Sequence, residues 1–422
     1  MRYCLLGSNS GRNAGDAAIL ASIIDEFRRV DPDAAFEVPT IAPAYIRRTY
    51  AHLNGAVQPV NILPYTGSLR LLGPTTLASV ARCDATLLCA GITFDRKLLN
   101  PAFNFLITLA GLVPLGAALG GRFFAYCHGV GPLRTSAGRR LARWVHQRCA
   151  DVLMRDEDSR QLLLACGVDP WRVSTWVDVA FVTRPAPARR VERILDDLGL
   201  TGSRPLIGVN VTSNLNLWFN TDGLSEKAFA ARLAHALDEL VSRVGPARTV
   251  LICTHRADIG LARRVRAHMA RQDAAILAND PFLEDGTGYD CHDIAGVMGR
   301  LELMVGMRLH SLILALAATT PVVGISYAPK VAGTLRLLGL ERNLVDLSSD
   351  GIDRLFDAVE QVWADRQRQR LSLAGQMAHV KDCVHAATER VWRQLAPQAG
   401  TADLLDHERR AHAARESSPS SA

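Results

Sequence analysis

Short apolar runs recur along this 422-residue chain, each closed by a glycine or a polar residue and followed by a longer stretch with helical spacing. In the first half they are Tyr3–Leu6, Ala85–Ala90, Arg122–Cys127, Asp151–Met154 and Val173–Val177. In the second half they are Leu206–Val211, Thr249–Cys253, Ala274–Leu277, Leu303–Val305 and Pro321–Ile325. Runs this short and apolar on both faces predict parallel strands covered by helices, because the segments between them are long enough for crossovers. The rhythm breaks at Thr183–Arg190, where proline and charge accumulate, which reads as a linker or exposed crossover. The expected fold is α/β: two doubly wound Rossmann-like domains facing a cleft, over residues 1–185 and 186–395. Helices should close the second domain, since Ile352, Leu355, Phe356, Val359 and Val362 recur at spacings of three and four. Residues 396–422 are polar and rich in alanine and serine, and are expected to form a disordered tail.

Composition narrows the function classes. Charged residues make up 21% and hydrophobic ones 48%, an ordinary globular balance. A net charge of +6 spread over this length is no nucleic-acid stripe, but suits a small anionic substrate. The cysteines Cys4, Cys89, Cys127 and Cys253 sit inside apolar runs, and no pair has CxxC spacing. They read as small hydrophobes, and neither disulfides nor a structural zinc is expected. Acids and histidines nowhere take a compact ligand spacing, so no metal is expected either. The N-terminus lacks a signal-peptide core, and a cytoplasmic location follows. Leu98–Gly121 carries no charge and could nominally span a bilayer, but Pro101, Pro114, its glycines, Asn100 and Asn104 favour a buried helix feeding a strand. That segment leaves a peripheral contact with the inner membrane face open. The sequence does not fix an oligomeric state.

Candidate chemistry clusters where the apolar runs end, the usual position of sites in parallel sheets. After the first run comes Gly7-Ser8-Asn9-Ser10-Gly11-Arg12-Asn13-Ala14-Gly15-Asp16, a glycine-rich turn opening a helix. It reads either as an anion cradle or as a plain turn with Asp16 as helix cap. His128 ends the third run and is followed by Gly129 and Gly131. Arg155 and Asp156 follow the fourth and read as a structural tie between loops. His255, Arg256 and Asp258 follow Cys253, a grouping suited to a polar ligand. Strongest is Gly306-Met307-Arg308-Leu309-His310-Ser311, where Arg308 and His310 enter an otherwise apolar helix. A guanidinium in such surroundings needs an anion, either a bound ligand or, as the alternative, a carboxylate of a neighbouring domain in a structural salt bridge, and His310 can move a proton near neutral pH. Lys330, after the next strand, would share that rim.

These motifs, in this order, resemble the polysaccharide pyruvyl transferase family. The pieces are Asn13-x-Gly15-Asp16-x-Ala18-Ile19-Leu20, Gly129-Val130-Gly131-Pro132-Leu133, Arg155-Asp156-x-x-Ser159, Asp178-x-Ala180-Phe181, Gly306-Met307-Arg308-x-His310-Ser311 and Ser326-Tyr327-x-x-Lys330-Val331. The resemblance implies a GT-B-like pair of domains. It also implies a transferase that moves the carboxyvinyl group of phosphoenolpyruvate onto a saccharide or lipid-linked glycan as a cyclic ketal. It implies no cofactor beyond that donor. On this reading Arg308 binds the donor anion and His310 binds it or supplies the proton. His128 joins them as a catalytic candidate, with Asn13, Gly15, Asp16, His255 and Lys330 as substrate-binding candidates. The first glycine loop is longer than in many relatives. Thr212-Ser213-Asn214 follows the strand Leu206–Val211, where relatives often offer an arginine. A glycosyltransferase using a nucleotide sugar on the same architecture is the second reading, and a catalytically idle binding protein the third.

Overall fold

The structure, a computed structural model, describes residues 1–62, 73–100, 104–202, 205–213, 225–244, 247–282, 288–326, 329–346 and 351–396. The tail from Pro397 onward lies outside the described residues. Two parallel sheets are built. The first holds β1 (Arg2–Leu6), β2 (Ala35–Thr40), β3 (Val57–Asn61), β4 (Ala85–Leu88), β5 (Phe123–His128), β6 (Asp151–Met154) and β7 (Val173–Thr175). Its order is β3-β2-β1-β4-β5-β6-β7. The second holds β8 (Leu206–Asn210), β9 (Arg248–Cys253), β10 (Ala275–Ala278), β11 (Leu303–Gly306), β12 (Val322–Ser326) and β13 (Leu344–Asp346), in the order β10-β9-β8-β11-β12-β13. Both are doubly wound Rossmann-like sheets, as the pattern of apolar runs predicts. The order reverses beside β1 in one and beside β8 in the other, and these reversals are the natural mouths for ligands.

Each predicted run lies on a strand, and three further strands were not predicted. In β2, Glu37 is buried and accepts from Arg82 Nε (2.6 Å) and Ser79 Oγ (2.6 Å), so a charge interrupts an otherwise apolar strand. Pro59 and Gln58 dilute β3, which is an edge strand, the place where proline is tolerated. The edge strand β13 is only 3 residues long.

The uncharged stretch after β4 forms the helix Leu106–Ala118, with Leu106, Leu109, Leu112 and Val113 in the core. Among the described residues no helix is long and apolar enough to cross a membrane. One apolar core runs from the helix-covered face of the first sheet into the second domain, and a smaller cluster fills the other face of the first sheet. The 45-residue helix Gly351–Leu395 begins on the second domain, as its periodicity predicts. It does not stay there. Thr388 Oγ1 shares a 2.6 Å hydrogen bond with Tyr126 of β5, Arg390 Nε donates to Asp151 of β6 at 2.6 Å, and His385 meets Glu26 at 2.8 Å. The helix therefore straps both domains together and belongs to each.

Candidate functional site

The loop after β1 reaches across to the loop after β9. Asn13 caps the helix Ala14–Val30: its side-chain oxygen accepts from the Gly15 amide at 3.0 Å, and its amide nitrogen donates to Asp16 at 3.1 Å. The cap is thus Asn13, and Asp16 lies in the first turn. The backbone of Asn13 bridges His255, and the Ala14 amide donates to the Thr254 carbonyl at 2.8 Å. Asn279 Nδ2 donates to the Gly11 carbonyl at 3.0 Å. Four substrate-binding candidates, Asn13, Gly15, Asp16 and His255, are brought to one seam between the domains. Burial, then the nearby Arg308 guanidinium, holds the His255 pKa below the usual histidine value, so its imidazole is neutral at pH 7.

The strand β11 delivers Arg308 and His310 to the same seam. A Cβ on Gly15 would lie 2.2 Å from His310 Nδ1, so only glycine lets the imidazole rest on this helix start. The other ring nitrogen, Nε2, is 3.6 Å from Asp178 Oδ2, an ionic contact rather than a formed hydrogen bond. Asp178 is buried, accepts from Arg155 Nη1 at 3.0 Å, and takes the Ala180 amide at 2.9 Å. Burial by itself would raise the Asp178 pKa, but His310 and the Arg155 charge outweigh it and bring it down to about 2. An ionised carboxylate facing Nε2 favours a proton on that nitrogen.

Asp178 belongs to one of the family-like motifs but is not among the candidate site residues read from the sequence. Its partners Arg155 and His310 lie far from it in the chain, and only the fold brings the three together. Arg155 and Asp156 have the structural role expected of them. Arg155 anchors Asp178 and packs where Gly129 has no side chain, since a Cβ there would come within 2.6 Å of the guanidinium. Asp156 caps the helix Glu157–Ala165 by accepting from the Ser159 amide at 2.7 Å.

Two expectations need correcting. The anion that Arg308 requires is supplied by the protein: Nε and Nη2 grip Asp258 at 2.6 and 2.7 Å in a two-pronged pair. Asp258 is fully buried and also accepts from the Ser213 amide at 3.1 Å. Arg308 is not inside the apolar helix Leu309–Ala317 but caps it, its amide donating to Asn210 at 2.9 Å. A cation at a helix N-terminus opposes the helix dipole, which makes the carboxylate partner more necessary. His128 is the second correction. It lies fully buried beneath the cleft, shares a 2.8 Å hydrogen bond with Thr93 and packs 5.6 Å from the His146 ring. Burial holds its pKa well below the usual value, so it is a neutral interior histidine rather than a cleft acid. Lys330 heads the helix Pro329–Leu337, but its side chain lies outside the described residues, as do Tyr327, Ala328 and Asn214. Among the described residues no group of three or more His, Cys, Asp or Glu side chains could hold a metal ion.

The buried histidine pair predicts a pH dependence of stability. Burial lowers the His146 pKa from 6.5 to about 4, so below pH 6.5 the unfolded chain takes up a proton that the native state refuses. Stability is complete above that value and falls as pH drops towards 4, by up to about 3 kcal/mol from this group. Urea unfolding between pH 7 and 4.5 should show the slope, and His146→Gln should flatten it. An equal slope in the variant would assign the acid sensitivity elsewhere.

Two doubly wound domains whose strand order reverses beside β1 and beside β8 define a GT-B-like architecture. Known structures share it: HepE of Anabaena in complex with UDP and glucose has a TM-score of 0.60 at 13% identity, covering 94% of this chain and 99% of that one. UDP-GlcNAc 2-epimerase of Neisseria meningitidis bound to UDP-GlcNAc has a TM-score of 0.58 at 11% identity, covering 94% and 99%. At such identities the likeness concerns the fold. The family profile of the polysaccharide pyruvyl transferases matches residues 13–329, and the chain belongs to that family. The amylovoran biosynthesis protein AmsJ of Erwinia amylovora is 22% identical over 393 residues, 83% of this chain and 89% of that protein. The chain is accordingly a transferase acting on polysaccharide.

Proposed function

We propose that the protein transfers the carboxyvinyl group of phosphoenolpyruvate onto two hydroxyls of a saccharide, forming a cyclic pyruvate ketal and releasing phosphate, in the making of a surface polysaccharide. The observation carrying this is the meeting of His310, Gly15 and Asp178 at the seam of the two domains. The reaction needs a proton on the methylene carbon of the donor, which leaves an oxocarbenium-like centre at C2. One hydroxyl adds there and returns its proton to the group that gave the first, the C2–O bond to phosphate breaks, and the second hydroxyl closes the ring, its proton leaving with the phosphate. A single imidazole that donates first and accepts afterwards suits this order.

His310 Nδ1 is that group, with Asp178 stabilising the imidazolium and holding the ring plane through Nε2. The Arg308–Asp258 pair keeps a guanidinium edge at the cleft, where the side chain retains 15% exposure. The exposed Arg12 in the first glycine loop adds positive charge near His255. Both favour a donor that carries carboxylate and phosphate. The participation of AmsJ, by its name, in amylovoran biosynthesis supports an exopolysaccharide acceptor.

The test is purified protein with phosphoenolpyruvate and a panel of saccharides. Phosphate should appear only with an acceptor bearing a suitable hydroxyl pair, and the product should gain the mass of a pyruvylidene group. Stabilisation by a nucleotide sugar, with no response to phosphoenolpyruvate, would replace this reading with the glycosyltransferase one.

A further inference from the structure

The outer face of the first domain carries a feature the cleft does not use. Between Asp95 and Asp151 the sequence contains no acidic residue, whereas Arg134, Arg139, Arg140, Arg143 and Arg148 crowd its second half. None of these five makes an ion pair among the described residues. Beside them lies the uncharged helix Leu106–Ala118. One side of it is core, but on the other Ile107 and Leu115 face solvent, with Leu119 just past its end; Leu115 is 52% and Leu119 59% exposed. The neighbouring helix Ser136–His146 lays Trp144 on it, the indole donating to the Ala110 carbonyl at 3.0 Å while the residue stays 45% exposed. The Arg148 guanidinium sits 3.3 Å from the centre of that ring, and Arg140 is exposed one turn before it.

Single exposed hydrophobics are ordinary, but a grouped set with a half-exposed tryptophan, flanked by Arg140 and Arg148 on a stretch of chain without acids, is not. We propose that this face rests on a bilayer carrying anionic headgroups. Ile107, Leu115, Leu119 and Trp144 enter the acyl boundary, and Arg140 and Arg148 meet headgroup phosphates. Trp and Arg at the edge of an apolar strip suit the membrane interface, where one end of each side chain is dry and the other wet. The absence of any acid from residues 96–150, with Arg140 and Arg148 at the apolar strip, is what favours an anionic surface over a protein partner of mixed charge.

The face is continuous with the cleft rim. The loop after the C-terminal end of β4 carries Asp95, whose carboxylate accepts from the Thr135 hydroxyl at 2.7 Å, and Thr135 caps the helix that bears Trp144. That the contact presents a lipid-linked acceptor to the cleft rests on the proposed activity; the contact itself does not.

The experiment is sedimentation of the full chain with vesicles of phosphatidylglycerol and phosphatidylcholine, and with phosphatidylcholine alone. Binding to the anionic vesicles should exceed binding to the neutral ones by on the order of 10-fold and weaken with salt. Leu115→Asp, and separately Arg140→Glu with Arg148→Glu, should each lower anionic-vesicle binding by about 10-fold while leaving the melting temperature and the phosphate released with a soluble acceptor unchanged. Equal binding to both vesicle types, or variants that bind as the parent does, would overturn the proposal. So would light scattering that finds a dimer dissociated by Leu115→Asp, which assigns the face to a second copy. Vesicle binding needs no donor or acceptor, so its outcome is independent of whether phosphoenolpyruvate is turned over.

Discussion

His310→Gln is expected to lower turnover of phosphoenolpyruvate by about 10²–10⁴-fold, the range of a lost general acid–base group, while leaving the melting temperature within a few degrees of the parent. Glutamine fills much of the same space over Gly15 and can still donate to Asp178, so the first turn of the helix Leu309–Ala317 keeps its packing. What it cannot do is carry a proton to carbon and take one back from a hydroxyl. Gly15→Ala should reach the same end by another route. Its methyl group would stand 2.2 Å from His310 Nδ1, so either the imidazole or the helix start must move. The two variants should therefore lose kcat together and bind donor nearly as before. Steady-state phosphate release, with donor affinity from calorimetry, distinguishes this from the alternative. If His310→Gln kept parental kcat, the imidazole would be a packing element and the acid would have to be sought elsewhere in the seam.

The architecture is legible in the sequence because burial on both faces of a parallel strand leaves an unmistakable run of apolar residues, as in Leu303-Met304-Val305. Where a strand is at an edge, or houses a paired charge, that record fades. Pro59 in β3 and the Glu37–Arg82 pair in β2 are such cases. The site divides in the same way. Asn13 and Gly15 are visible as parts of a glycine-rich turn that opens a helix, though its cap reads as Asp16 and is Asn13 in the structure, and Arg308 is visible because an arginine beside an apolar helix demands an anion. The identity of that anion is not visible. Asp258 lies on the 3-10 turn after β9, and nothing local to either residue says that they meet. Asp178 stands in a visible motif, but its partners are hidden for the same reason, its carboxylate meeting Arg155 and His310 from separate stretches of chain. His128 misleads in the opposite direction. A histidine at a strand end followed by glycines looks poised for chemistry, but Gly129 makes room for Arg155, and a Cβ on Gly131 would meet Leu162.

The Arg308–Asp258 pair sets up the other large effect. Removing one member of a buried ion pair leaves a charge with no compensation, at a cost of about 3–5 kcal/mol, whereas replacing both by apolar groups is often neutral. Asp258→Leu should therefore destabilise the protein strongly, because it takes the two-pronged carboxylate from an arginine at the unfavourable end of a helix dipole. Arg308→Met should do so as well, since Asp258 would keep only its bonds from Ser213. The double variant should recover most of the loss, with a coupling energy of about 2–3 kcal/mol in urea unfolding. Activity should behave differently. If the guanidinium edge also faces the donor, the double variant folds well and still binds phosphoenolpyruvate poorly, because Arg12 alone is left to meet its charge. Single variants as stable as the parent would mean that the carboxylate is a resting partner only, and that the guanidinium leaves it freely for the substrate.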